Sequence, residues 1–464
     1  MAAPASAALK VPRRHRMPET PSTDTAHHAA RTARAQGQAG TQESKGPSRF
    51  AFALVFAALM TTAAGGNALV TVMPPIGREL GVSDTLIATV FSLSALFWTL
   101  TSPFWADQSD KRGRKPLILL GLGGFTVSML LFGVVVVAGH AGLAVPLAIL
   151  AGMAVARSIY GLIGAAANPA VQAYVADRTT RQERTQSMAL LASAFGLGTI
   201  VGPALAPFFV IPALGGLAGP MFAFAVIGLV VMGLIWRYLP SGDAPRTAEG
   251  ERPTHAPAPK LGLWRDKRVM AFLIYGFAVG SAQAVNTQVL GFHIIDAMEI
   301  DPADALAFVG IAMFAGAAAS LIAQWGLIRL LDLGPKELMR WGAGTAAAGN
   351  VLLIVAPNYF AVVIGFAIVS LGFGFARPGF TAGASLGVKA AEQGAVAGAV
   401  AAINGACWLV APVLGVALYE WTGPASYLMN VVVLAALLAY AFRDPTLRAA
   451  GVTAQEAPAV GTPV

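Results

Sequence analysis

The decapeptide Ala106-Asp107-Gln108-Ser109-Asp110-Lys111-Arg112-Gly113-Arg114-Lys115 sets six ionisable side chains between two long apolar segments. Charge at that density cannot lie in hydrocarbon, so the loop marks a place where the chain turns at a membrane surface. Gly113 supplies a tight turn, and Asp110 is placed to pair with Arg112, Arg114 or a helix end. The same residues would also serve as a plain topology signal with no part in gating.

Outward from this loop the chain alternates apolar runs with polar breaks. The apolar segments fall near 50–73, 85–106, 116–138, 145–175, 187–210 and 218–238, then near 269–294, 304–330, 338–356, 358–387, 393–419 and 424–442. Each approaches the roughly 20 residues that a helix needs to cross a bilayer core of about 30 Å. With 56% hydrophobic and only 12% charged residues over 464 positions, too little polar surface remains to coat a soluble globule. The expected fold is therefore all-α: a polytopic membrane protein of twelve transmembrane helices, arranged as two six-helix bundles.

The largest break, 240–268, mixes Pro, Gly, Ala, Thr and charges and reads as a cytoplasmic linker between bundles at 50–239 and 269–443. Residues 1–49 and 444–464 read as disordered cytoplasmic tails. A secretory signal does not fit, because 49 residues would precede the apolar core, and the first apolar segment is expected to be a permanent span. Of the 31 Lys and Arg residues, all but Arg78, Arg157 and Arg377 fall on one side if the N-terminus is cytoplasmic. That asymmetry implies a bacterial-type inner membrane protein with both termini inside. The acidic turn containing Asp296, Glu299, Asp301 and Asp304 then faces out.

A net charge of +8 could suggest nucleic acid as a partner, but the basic residues form short clusters and no continuous basic face. The single cysteine, Cys407, lies in an apolar stretch, which excludes a disulfide framework or a cysteine metal site and suggests a small packing residue. No Gly-Lys-Ser/Thr phosphate loop, His-Glu-x-x-His pair or acidic metal cluster occurs within the spans, so neither cofactor nor metal is expected. A shift of 209 residues places Pro169 on Pro378, Glu183 on Glu392 and Pro203 on Pro412, as a duplicated chain would. Duplicated halves around a central site are a common basis for alternating access.

The loop quoted above resembles one of the major facilitator superfamily, which reads Gly-x-x-x-Asp-(Arg/Lys)-x-Gly-(Arg/Lys)-(Arg/Lys). Asp110, Lys111, Gly113, Arg114 and Lys115 match, and Ala106 replaces the first Gly. The resemblance implies that this loop latches the two bundles together in one conformation. Arg157-Ser158-Ile159-Tyr160-Gly161 is similar to the fourth-helix Arg-x-x-Gln-Gly motif of that superfamily, with Tyr160 in the Gln position, which implies a part in proton coupling for Arg157 and Gly161. Gly198, Gly202 and Pro203 resemble the fifth-helix Gly-x-x-x-Gly-Pro element of its drug:proton antiporter branch, although Ala206 and Pro207 replace a usual Gly pair. Asp177 and the pair Glu183-Arg184 also match that branch.

Further candidates come from the residues alone. Arg157 and Arg377 are cations inside apolar segments and should face a wet cavity or a partner, although Arg377 could instead snorkel towards the surface. His293 and Asp296, three apart, could share a helix face and exchange protons. Asn67, Tyr160, Gln172, Gln283, Asn286, Asn350 and Asn404 could meet a solute or bridge helices. Phe97, Trp98, Phe373, Phe375 and Trp408 could shape an apolar pocket. Every Asp and Glu falls in a tail, a loop or a span end.

The reading that unites these features is a monomeric secondary transporter, exporting small amphipathic compounds in exchange for protons. An uptake carrier or facilitator for a metabolite is the alternative, kept open by the missing core carboxylate. A membrane-embedded enzyme or sensor is a distant third.

Overall fold

The computed structural model describes residues 48–179, 181–241, 266–388 and 392–451. Most of both predicted tails, most of the predicted linker and the side chains of Glu183 and Arg184 lie outside the described residues. Twelve crossings run in order: α1 Arg49–Glu79, α2 Asp84–Arg112, α3 Arg114–His140, α4 Pro146–Ala176, α5 Arg181–Leu205, α6 Gly219–Tyr238, α7 Lys267–Met298, α8 Asp304–Leu330, α9 Pro335–Val355, α10 Tyr359–Leu386, α11 Gln393–Trp421 and α12 Ala425–Arg443. Eleven are long and apolar enough to span a bilayer by themselves. In α5 the apolar part is shorter, Ser193–Phe209, and continues past Pro203 into a 3₁₀ turn at Ala206–Phe209.

Local chemistry sets the ends. Ser48, Ser83 and Asn358 cap α1, α2 and α10, each accepting a backbone N–H of the first turn. Pro146 and Pro335 open α4 and α9, where a missing N–H costs nothing. A 3₁₀ turn at Gly164–Ala166 interrupts α4, and a π-helical stretch, Ile322–Leu327, lies near the end of α8. One boundary differs from expectation: beyond α12 the chain is not wholly irregular, because Asp444 caps a helical turn at Pro445–Arg448 and buries Leu447.

The helix pairing is that of a repeat. In the first half α1 packs on α5 and α6, α2 on α4, and α3 on α4 and α6; in the second, α7 packs on α11 and α12, α8 on α10, and α9 on α10 and α12. Adding six to each label of the first set gives the second. Between halves, α2 packs on α11 and α5 on α8, two contacts that exchange under the same operation, and α8 also packs on α1. Glycines reproduce the relation in detail. A methyl at Gly121 on α3 would sit 2.3 Å from the Ala167 amide nitrogen, and one at Gly342 on α9 would sit 2.6 Å from that of Ala376.

Large apolar side chains, among them Leu147, Phe208 and Phe360, stay exposed on the outer surface, as do Trp236, Trp325, Trp341 and Trp421 close to helix ends. Such a surface suits lipid with aromatic side chains at the interfaces. Within the first half, α1 and α5 touch backbone to backbone: a methyl at Gly202 would lie 2.0 Å from the Ala64 carbonyl oxygen, and one at Gly198 2.6 Å from that of Met60. Gly196, two residues before Gly198, has nothing within 4 Å. Gly202→Val is therefore expected to lower the stability of detergent-purified protein by about 1–3 kcal/mol. Gly196→Val should leave the thermal transition where it is, and equal losses at both positions would contradict this packing.

Candidate functional site

Arg78, at the end of α1, grips a carboxylate from each half of the molecule. Towards its own half it donates from Nε and Nη2 to the two oxygens of Asp84, at 2.7 and 2.5 Å. Towards the other it donates from Nη1 and Nη2 to those of Asp296, at 2.9 and 3.1 Å. Both pairs are bidentate, the geometry in which guanidinium and carboxylate interact most strongly. Tyr419 of α11 donates its hydroxyl to Asp296 at 2.9 Å. Beside this knot, Glu420 accepts the Thr85 amide at 3.2 Å and the Thr85 hydroxyl, so a carboxylate of α11 seats on the amino end of α2, where the helix dipole favours it. Apolar contacts continue below, with a methyl at Gly291 2.4 Å from Pro74 and one at Gly310 3.0 Å from the Pro203 oxygen.

The opposite helix ends behave differently. Gly113 takes φ 92° between α2 and α3, a conformation a side chain would strain. That turn delivers Arg114 to Asp177 at 2.8 Å, to Ser109 at 3.1 Å and to Asp110. Lys115 caps the end of α6 through the Trp236 and Leu239 carbonyls at 2.8 and 2.7 Å, and Lys111 pairs with Asp107. In the second half Arg268 of α7 joins Asp266 at 2.7 Å and Glu392 of α11 at 3.1 Å. Hydrogen bonds from Arg268 hold the Asp266 carboxyl below the ordinary carboxylate range.

Each of these pairs joins two residues of the same half. Asp110, Arg114 and Lys115 of the expected latch, with Gly113 at the turn, tie α2, α3, α4 and α6 to one another. The Arg78 end bridges the two halves.

Between the two ends lie two cations. Arg157 is buried, with its guanidinium carbon 5.3 Å from the Phe91 ring centre and 4.7 Å from that of Tyr160. Tyr160 in turn packs against Trp98 and Phe125. Nε and Nη1 of Arg157 are buried and meet no acceptor. Cation–π contact returns about 2 kcal/mol when desolvated, against several kcal/mol for taking the ion out of water, so the aromatic box offsets only part of the cost. Gly66 faces Nη2, where a methyl would be 3.9 Å away.

Arg377 on α10 reaches towards α7 and α11, with Nη1 3.4 Å from Gln283 Oε1 and Nη2 3.3 Å from Asn404 Oδ1. Its side chain is exposed, and both of these contacts are to neutral amides of neighbouring helices. Gly405, next to Asn404, lies against Thr99 of α2, which places this cluster beside the seam between the halves.

Other sequence candidates divide between packing and the seam. His293 and Asp296 are not hydrogen-bonded to each other: Asp296 serves Arg78 and Tyr419, while His293 stands edge-on to Tyr419 and Tyr427 with Nε2 buried and unpartnered. A cleft of about 210 Å³ is lined by both, with Tyr419 and Tyr427. Gly161 is a contact point, since a methyl there would lie 2.5 Å from the Ser94 oxygen, and Gly198 and Gly202 hold α5 on α1. Asn67, Asn286 and Asn350 each donate back to a carbonyl one turn earlier on their own helix. Gln172 is exposed and bonds Asn168, Phe373 and Phe375 are buried, and Cys407 is a buried packing residue donating to the Phe277 carbonyl.

Sequence reasoning missed Asp84 as a partner of Arg78, Tyr419 as a donor to Asp296, and the neighbouring Thr85–Glu420 pair. The available signal was one arginine stranded on the acidic side.

A membrane-embedded pair of repeated six-helix bundles, bridged at one end of their seam and lined with isolated cations, defines a class of solute-handling membrane proteins. A sequence profile of the Major Facilitator Superfamily matches residues 54–331, and the chain belongs to that family of transporters. It is 24% identical over 360 residues to multidrug resistance protein 1 of Bacillus subtilis, covering 77% of this chain and 86% of that one. Multidrug resistance protein 2 of the same organism is 30% identical over 179 residues, 39% of this chain and 41% of the relative. The tetracycline resistance protein, class B, of Escherichia coli is 23% identical over 388 residues, 78% and 86% of the two chains. The fold is shared with a bacterial homologue of the human lysosomal transporter Spinster, solved in an inward-facing and unoccupied conformation, at TM-score 0.66 and 12% identity over 89% of this chain and 98% of that one.

The bridge has a direct test. In a Cys407→Ser background carrying Thr99→Cys, Asp296→Asn is expected to speed labelling by an impermeant maleimide from the Arg78 side. The expected gain is about two- to fivefold, matching roughly 0.5–1 kcal/mol for a partly exposed ion pair. An unchanged labelling rate would contradict a closing role for the Arg78–Asp296 pair.

Proposed function

We propose that this chain exports small amphipathic compounds by alternating access, driven by proton entry. One observation carries the reading: Arg78 and Glu420 bridge the two halves at one end of the seam through side-chain hydrogen bonds to Asp296 and Thr85. A releasable bridge that closes one mouth of the seam is what one state of a two-state carrier requires. The names of the multidrug and tetracycline resistance relatives support export of foreign compounds. The concentration of Lys and Arg at the Arg114 end supports its cytoplasmic placement, an inner-membrane address and both termini inside. The bridged end is then the outer one.

Within this reading the segment 240–268 links the bundles, and one chain is the working unit because the seam lies within it. Asp110, Gly113, Arg114 and Lys115 are the moving cytoplasmic latch. Arg157 is the coupling residue, held in place by Gly161 and the Tyr160 ring. His293 and Asp296 are second candidates at the outer mouth. A second reading, a facilitator or uptake carrier, rests on the lack of any carboxylate in mid-span.

Proteoliposome exchange separates them. With an imposed pH gradient, addition of substrate should discharge the gradient in the wild type, and Arg157→Ala should cut this proton flux about tenfold or more. Exchange that ignores the gradient would favour the facilitator, and full proton flux in Arg157→Ala would remove its coupling role.

A further inference from the structure

The charges that lie in mid-membrane are of one sign. Arg157 and Arg377 are the only ionisable residues of formal charge away from the span ends, and all 23 Asp and Glu residues lie elsewhere in the chain. Neither cation is neutralised by a described carboxylate. Arg157 keeps two buried N–H groups without acceptors, and Arg377 spends its guanidinium on two long contacts to the amides of Gln283 and Asn404. For buried Arg157 a charge away from water is unfavourable unless a counter-charge is supplied, while exposed Arg377 presents its charge to whatever enters. The remaining source of that counter-charge is whatever occupies the route.

The surroundings describe the rest of the occupant. On the α4 side the cation lies over the Phe91 and Tyr160 rings, with Trp98 packed on Tyr160, flat apolar faces suited to an aromatic or aliphatic body. On the α10 side Gln283 and Asn404 add neutral amide donors around a planar fork that matches a carboxylate or sulfonate. Thr99 against Gly405 sets these two clusters on neighbouring positions across the α2–α11 contact.

We propose that the cavity takes amphipathic organic anions, with Arg377, assisted by Gln283 and Asn404, binding the acidic head and the Arg157 box receiving the apolar body. This rests on the transport reading above and narrows it to a substrate class. A bound anion would also relieve the unpaired guanidiniums, so binding and closure around the ligand favour each other.

The test uses full-length protein in proteoliposomes and three probes with one apolar body: pyrenebutyrate, its primary amide and a pyrenebutyl-trimethylammonium ion. Exchange of the carboxylate should exceed that of the amide about tenfold or more, as expected for a charge-assisted hydrogen bond lost. Arg377→Gln should abolish the preference and Arg377→Lys should retain most of it, with both variants checked for unchanged elution and thermal transition. Equal or faster exchange of the amide or the ammonium ion overturns the anion proposal and leaves transport standing. No exchange of any probe overturns both. A carboxylate preference that survives Arg377→Gln overturns the assignment to this cluster.

Discussion

One guanidinium holds the two halves of this molecule together at a membrane surface. Arg78 engages Asp84 of its own half and Asp296 of the other through paired hydrogen bonds, and Tyr419 and Glu420 of α11 add the flanking contacts. Because Asp84 is almost wholly buried and Asp296 is partly exposed, the two pairs are unequal: one is part of the first bundle, the other can be released. A bridge built this way is strong enough to define a state and weak enough to leave it.

The bundles on either side are made rigid by a different means. Glycines at the α1–α5, α3–α4 and α9–α10 contacts bring backbones together, so each bundle moves as a body and the seam is where change is cheap. The charged turn at Gly113 serves this rigidity here, stitching α2, α3, α4 and α6 through Arg114 and Lys115. Rigid halves, a releasable bridge at one end and unpaired cations at mid-depth belong to one mechanism: the ligand supplies the charge that the route lacks.

Much of this was legible in the amino-acid sequence. Apolar run length disclosed the twelve crossings, and the shift relating Pro169 to Pro378 disclosed the repeat that the helix pairing reproduces. The loop at Asp110–Lys115 pointed to the family. Arg157 and Arg377 stood out because charge in a span is costly wherever it lies. What stayed hidden was pairing over long separations. Nothing near Arg78 names Asp296, 218 residues on, and nothing in the loop motif says that Asp177 is a partner of Arg114. Likewise the three-residue spacing of His293 and Asp296 suggested a pair, but Arg78 and Tyr419 claim the carboxylate instead.

The central claim is that the Arg78 mouth must open for solute to cross. A Thr85→Cys/Glu420→Cys pair in a Cys407→Ser background tests it most directly, since these side chains meet across the seam in the closed state. With the disulfide formed, substrate exchange should stop, and reduction should restore it in the same vesicles. Undiminished exchange by the fully cross-linked protein would contradict alternating access through this seam.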